Sequence, residues 1–415
     1  MTRPLSFVLI LAVLTAVFHV TAQTAEAQVA VRKTANNTRI TIESTGPNGV
    51  FAFVTTSSVG ISVRTVSAGV TESFSFACPS SGPAAPMIFF IGSQNSRNQL
   101  RNLTGLTAVA FGGSDSDVLF NSRGEAIFFG RGGDDILFGA DEADMIDGGT
   151  GNDLIFGEEG NDELVGAGGD DSIFGGSGND FIAGGLGRDE TFGEEGHDTI
   201  NSGGGDDLVV GGLGNDVITS GLGNDEVFGN EGSDQIATGN GEDFVNGGPG
   251  NDVIDGGAND DELIGTTGDD TIDGGLGNDL LSGGRGNDNL TGQDGDDQIL
   301  GGQGNDSMVG GNGNDLMVGG TGDDDLEGNA GLDDMRGGNG NDFMFGGNGD
   351  DFMFGGPGSD FLCGGAGTDE LRGHNGNDSL YGESNNAGQP DILDGGFGRT
   401  NLLDQSSPCP LSARP

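Results

Sequence analysis

From Gly112 to Tyr381 the chain repeats every nine residues, in thirty copies with no insertion or deletion. The pattern is Gly-Gly-x-Gly-Asn/Asp-Asp-x-apolar-x, and the stretches 175–183 and 310–318 are clean copies. The sixth position is Asp in 29 of 30 copies, with Ala126 the exception. The eighth is apolar in 29, with Thr191 the exception, and the fourth is Gly in 27, replaced by Asp115, Glu142 and Asn259. Low-complexity disorder does not keep three positions in register over such a length. A unit of nine residues buries nothing alone, so only a stack of them makes a core.

Each repeat reads as a loop of six residues and a strand of three. Glycine takes positive backbone angles without steric cost, and Asn or Asp at the fifth position tolerates the left-handed region best among other residues. In a strand the middle side chain faces one way and its neighbours the other, so the eighth position points inward and the seventh and ninth outward. Two repeats close one coil, with strands on opposite sides, and thirty make fifteen coils. The expected fold is all-β: a solenoid of stacked parallel strands around a thin seam of Leu, Ile, Val and Met.

That seam is too narrow to hold the array unaided. Glycine fills 87 of 415 positions, hydrophobic residues are only 33%, and Trp is absent. Sixty-six acids against 15 bases leave a net charge of −51, which excludes nucleic acid and anionic membranes as partners. The acids are not scattered. A sixth-position Asp should stack on the one two repeats later, as Asp315 on Asp333 and Asp306 on Asp324. One edge then carries Asp117, Asp135, Asp153, Asp171, Asp189, Asp207, Asp225, Asp243, Asp261, Asp279, Asp297, Asp315, Asp333, Asp351 and Asp369. The other carries Asp144, Asp162, Asp180, Asp198, Asp216, Asp234, Asp252, Asp270, Asp288, Asp306, Asp324, Asp342, Asp360 and Asp378. Bare, these ladders repel and favour the unfolded chain. A hard cation taking six to eight oxygens suits them, and calcium suits them better than magnesium, which demands rigid octahedral geometry. One ion between successive loops of an edge gives up to about 27 calcium sites once Ala126 is discounted.

The nonapeptides resemble the RTX (repeats-in-toxin) family of haemolysin-type calcium-binding repeats, whose consensus Gly-Gly-x-Gly-x-Asp-x-apolar-x matches from Gly112 to Tyr381. The resemblance implies a right-handed parallel β-roll with calcium between turns, held by loop aspartates and main-chain carbonyls. It also implies a secreted protein that folds outside the cell. Many members leave through an exporter that reads a C-terminal signal, whereas residues 1–27 here read as an N-terminal one. Arg3 precedes an apolar run from Leu5 to Val20, and small residues follow at Ala22 and Ala25–Ala27.

Residues 28–111 alternate β-formers with polar residues and read as a small β-rich N-terminal unit. Residues 382–403 are degenerate terminal repeats, and 404–415 form a tail without pattern. No His-Glu-x-x-His, Gly-x-Ser-x-Gly or phosphate-loop motif occurs. His19 lies in the export segment, while His197 and His374 sit in loops, so the N-terminal unit has no histidine for a triad. Catalysis is therefore not expected. The expected role is a structural or adhesive extracellular or cell-surface module with a cell-surface or polysaccharide partner. The alternatives are a polysaccharide-modifying enzyme or a haemolysin-like toxin using the roll for secretion and docking.

Two further features bear on the surface. Of Cys78, Cys363 and Cys409, the second should face outward at a ninth position, where Cys409 on the tail could bridge to it; the alternative is buried or free thiols, and an odd number leaves at least one unpaired within the chain. Outward positions should be polar, yet Val118, Phe120, Ile127, Phe129, Ile136, Phe138, Leu154 and Phe156 are not. The N-terminal unit is expected to cover these. Phe343, Phe345 and Phe361 on one face, with Phe352 and Phe354 on the other, point to tail packing through Leu402 and Leu403 or to self-association.

Overall fold

In the computed structural model, residues 107–382 and 391–398 are described in full, together with the backbone of strands within 27–102 and 401–404. The expected export segment before Ala27 and the tail after Asp404 lie outside the described residues. Every described element is a strand or a turn, with no helix among the described residues.

The strands form two parallel ladders on opposite sides of a solenoid. One runs from Asn98–Asn102 through Val118–Asn121 and Ile136–Ala140 to Glu370–Gly376 and Ile392–Asp394. The other runs from Met87–Ile91 through Thr107–Phe111 and Ala126–Gly132 to Ser379–Gly382 and Asn401–Asp404. Each ladder therefore begins before the first nonapeptide. Further back, Ala27–Lys33 joins Asn98–Asn102 in parallel, and Phe51–Val54 joins Met87–Ile91 antiparallel. Within the array each residue pairs with its counterpart two repeats on, as Ile155 with Ile173 and Leu281 with Ile299.

Strand length departs from expectation. The typical strand has six residues, not three, running from the seventh position of one repeat to the third of the next, as in Leu154–Glu159 and Leu316–Thr321. The reason lies in the corner. Leu154 to Phe156 pair with Ser172 to Phe174, Gly157 drops out, and Glu158 and Glu159 pair again with Gly176 and Ser177. A positive φ at the second position, 110° at Gly176, turns the chain without ending the ladder. Only positions four to six remain as turn. The left-handed angles expected at the fifth position are likewise elsewhere. Among non-glycine residues they fall at the second position, as in Arg131, Glu158 and Gln293, and once at the fourth, Asn259.

The eighth-position side chains meet as one continuous seam, from Leu119 through Ile155, Ile254 and Met335 to Leu380, all buried. Thr191 takes its place in this seam between Ile173 and Val209 and is fully buried. Its hydroxyl has no hydrogen-bond partner. Thr191→Val keeps the shape and removes a desolvated polar group, so it is expected to raise stability by about 1 kcal/mol, read as a higher Tm in calcium.

Outward phenylalanines stack rung on rung. Phe138, Phe156, Phe174 and Phe192 form a column with ring centroids 4.7, 5.0 and 4.9 Å apart, and Phe120 meets its end edge-on. The apolar stripe thus extends two phenylalanines past Phe156. Whether the N-terminal unit covers it falls outside the described residues. At the other end Phe343 is not exposed as expected: Phe361 stacks on it at 4.6 Å and Phe345 leans on it at 4.9 Å, leaving 7% accessible. Cys363 does not face outward as expected, being 2% exposed, and it is disulfide-bonded. Cys78 and Cys409 lie outside the described residues.

Candidate metal centre

The sixth-position aspartates stand in two buried rows, one along each edge. Their two oxygens have different fates. Oδ1 accepts the backbone N–H of the aspartate one coil earlier: Asp306 donates to Asp324 at 2.9 Å, Asp315 to Asp333 at 3.0 Å, and Asp252 to Asp270 at 2.8 Å. The stacking expected from the two-repeat spacing is therefore present. Oδ2 has no such use. In 27 of the 29 aspartates it is buried without any hydrogen-bond partner, from Asp135 and Asp153 to Asp378. The other two lie at the N-terminal end, where Oδ2 of Asp117 and Asp144 accept the N–H groups of Gly113 and Ala140 at 2.6 and 2.7 Å.

The first-position glycine makes room for this oxygen. Gly130 has no positive φ, yet a Cβ there would collide with Asp135 Oδ2 and with the carbonyl oxygen of Gly148, one coil on. The same convergence recurs at Gly310, with Asp315 Oδ2 and the Gly328 carbonyl. Here glycine is required for space rather than for backbone angle.

A second ladder, on the fifth position, runs the opposite way. The backbone N–H of Asn179 donates to Asn161 Oδ1 at 2.9 Å, and that of Asn305 to Asn287 Oδ1 at 2.9 Å. Asn and Asp at position five supply a side-chain acceptor to the next coil, which explains their preference where backbone angle does not. His197 meets the same need, its Nδ1 accepting from Asn215 N–H at 2.7 Å. His374 occupies a second position with φ 78° and packs on the Phe354 ring. Both loop histidines thus have structural roles.

Burial dominates the electrostatics of the aspartate rows. It pushes the carboxyls of Asp171, Asp252 and Asp297 up to about 7 and that of Asp135 to about 8, against the downward pull of the backbone N–H each accepts. Neighbouring aspartates in the row raise them further. The ion pairs Arg336–Asp334 and Arg372–Glu370 are exposed and leave the orphaned oxygens untouched. Among the described residues no three His, Cys, Asp or Glu side chains converge as a metal cluster. A cation here must take few carboxylates and many carbonyls. Oxygen-only, carbonyl-rich, flexible sites suit a hard ion of calcium's size.

One aspartate escaped the nine-residue frame. Asp391, beyond the four-residue excess in 382–394, has the same buried, partnerless Oδ2, and its Oδ1 accepts Asp369 N–H at 3.1 Å. The string Asp391-Ile392-Leu393-Asp394-Gly395-Gly396 repeats the Asp-x-apolar-x-Gly-Gly signal and marks it as a further sixth position.

The RTX calcium-binding nonapeptide repeat matches in successive stretches from residue 129 to 401. The chain belongs to that family. No curated protein matches it. As an RTX repeat protein it is a calcium-binding structural array, and its orphaned oxygens fit that ion.

Proposed function

We propose that the sixth-position carboxylates and first-position carbonyls hold rows of calcium, up to about 27 ions, and that the protein folds on calcium after export. The observation that carries this reading is the set of 28 buried aspartate Oδ2 atoms with no partner, Asp391 included. An isolated buried charge costs several kcal/mol, so a row of them in one chain needs a counter-ion. Calcium supplies that positive charge when bound. The residues do the rest: Oδ1 ties successive loops, Oδ2 and the carbonyls face the ion, and the first-position glycines keep the approach open.

The test is Asp252→Ala. Its Oδ1 accepts Asp234 N–H and its own N–H donates to Asp270, so it couples to one loop on either side. Solenoid stability is a sum of nearest-neighbour contributions, so distant coils should stay folded. Bound calcium, counted by equilibrium dialysis, is expected to fall by about two ions. Loss of the whole complement, or no loss, would contradict the assignment.

The protein acts outside the cell or on its surface, in a structural or adhesive role without catalysis. Support comes from the export-like residues 1–27 and from the phenylalanine column with carboxylates beside it. A surface groove over Phe156 and Phe174 is flanked by Glu158, Glu159, Glu194 and Glu195. Protein recovered from the medium should begin after Ala22 or Ala27. Phe156→Thr with Phe174→Thr should weaken adsorption to cell-surface polysaccharide while leaving calcium uptake unchanged. A cell-retained full-length chain would argue against export, and unchanged adsorption against the column as the adhesive face.

A further inference from the structure

Of the thirty first positions, 26 are glycine. Asn121 stands near the N-terminal end of the array, and the other three exceptions, Ser202, Ser220 and Thr238, follow one another at intervals of two repeats. They are therefore consecutive rungs of one edge, in strands Thr199–Gly204, Val217–Leu222 and Gln235–Asn240. All three are fully buried. The opposite edge keeps Gly193, Gly211, Gly229 and Gly247 at this level.

Their hydroxyls form a one-way chain. Ser202 Oγ donates to the Ser220 carbonyl at 2.9 Å, Ser220 Oγ to the Thr238 carbonyl at 3.1 Å, and Thr238 Oγ1 to the Gly256 carbonyl at 2.7 Å. Each acceptor is the first-position carbonyl one coil on, the oxygen that in glycine coils faces Oδ2. Each hydroxyl also stands in the space that glycine leaves clear elsewhere. The aspartates of these loops keep their place, Asp207, Asp225 and Asp243 accepting N–H from Asp189, Asp207 and Asp225 at 2.8–2.9 Å. Each hydroxyl lies beside the carboxylate of its own loop, that of Asp207, Asp225 or Asp243.

We infer that Ser202, Ser220 and Thr238 close the cation positions of their own loops, so that this stretch of one edge is held by protein hydrogen bonds and takes no calcium. The hydroxyl occupies the approach, and its proton uses a carbonyl that would otherwise face the ion. The inference rests on the calcium reading of the remaining loops.

The test compares the full chain with the variant Ser202→Gly, Ser220→Gly, Thr238→Gly, counting calcium ions per chain by equilibrium dialysis at saturation. Glycine restores the residue of the other coils, and the variant is expected to bind about three more ions than the wild type. Ser220→Gly alone should gain about one and serves should the triple variant fail to fold. Thr238→Ser, which keeps the hydroxyl, should match the wild type. An unchanged count overturns the inference, and a lower count does so by making the hydroxyls ligands. A wild type without bound calcium would instead overturn the calcium reading itself.

Discussion

In excess chelator at pH 8 the chain is expected to lose its β-sheet circular dichroism, and calcium is expected to restore it. Without the ion, 28 aspartate Oδ2 atoms lie buried with nothing to bond, in a chain of net charge −51. The opposing stabilisation is one seam of eighth-position side chains, about 1.5–3 kcal/mol for each fully buried aliphatic residue and less after the entropy of ordering nine residues per repeat. The seam does not offset the rows. Because no site pre-exists in the unfolded chain, ion binding and folding are one event. Millimolar magnesium should not replace calcium, since it holds its water and demands octahedral geometry that carbonyl-rich turns do not supply. A chain keeping its β signal in chelator at pH 8 would refute this.

The second large effect is a reversal with pH. Burial raises the folded-state pKa of Asp153, Asp189 and Asp270 to about 6, of Asp162, Asp198 and Asp324 to about 7, and of Asp135 to about 8. The unfolded value is near 3.8. A group whose pKa is raised on folding binds more protons in the native state, so its contribution is complete below the unfolded pKa and is lost as pH rises through the folded one. In chelator, then, protons stand in for calcium. The β signal should be strongest near pH 4 and disappear as pH climbs through about 6 to 8. In calcium the direction reverses, because acid competes for the same carboxylates and releases the ion. Circular dichroism against pH, with and without calcium, reads both curves. A calcium-free chain unstructured at every pH, or equally structured at all, would contradict the account.

The nine-residue period made the parallel register, the apolar seam and the two aspartate rows legible, because each follows from which residues recur two repeats apart. What it hid depends on three-dimensional closeness at the corners. Strands of six were read as three because a positive φ at the second position bends the chain without ending its pairing. Asn and Asp at position five looked like backbone-angle residues, yet they accept N–H from the next coil. First-position glycine gives space to Asp Oδ2, a contact between residues five apart that no propensity reveals. Phe343 and Cys363 sat at outward positions, but neighbouring rungs cover the first and a disulfide holds the second. Asp391 is hidden because the four-residue excess before it breaks the nine-residue frame.

The most direct measurement is anomalous diffraction from crystals grown in calcium. The account predicts two rows of anomalous peaks, one along each edge, every peak beside a partnerless Asp Oδ2 and a first-position carbonyl. Their absence from the loops, with the aspartate oxygens still buried and bare, would contradict it.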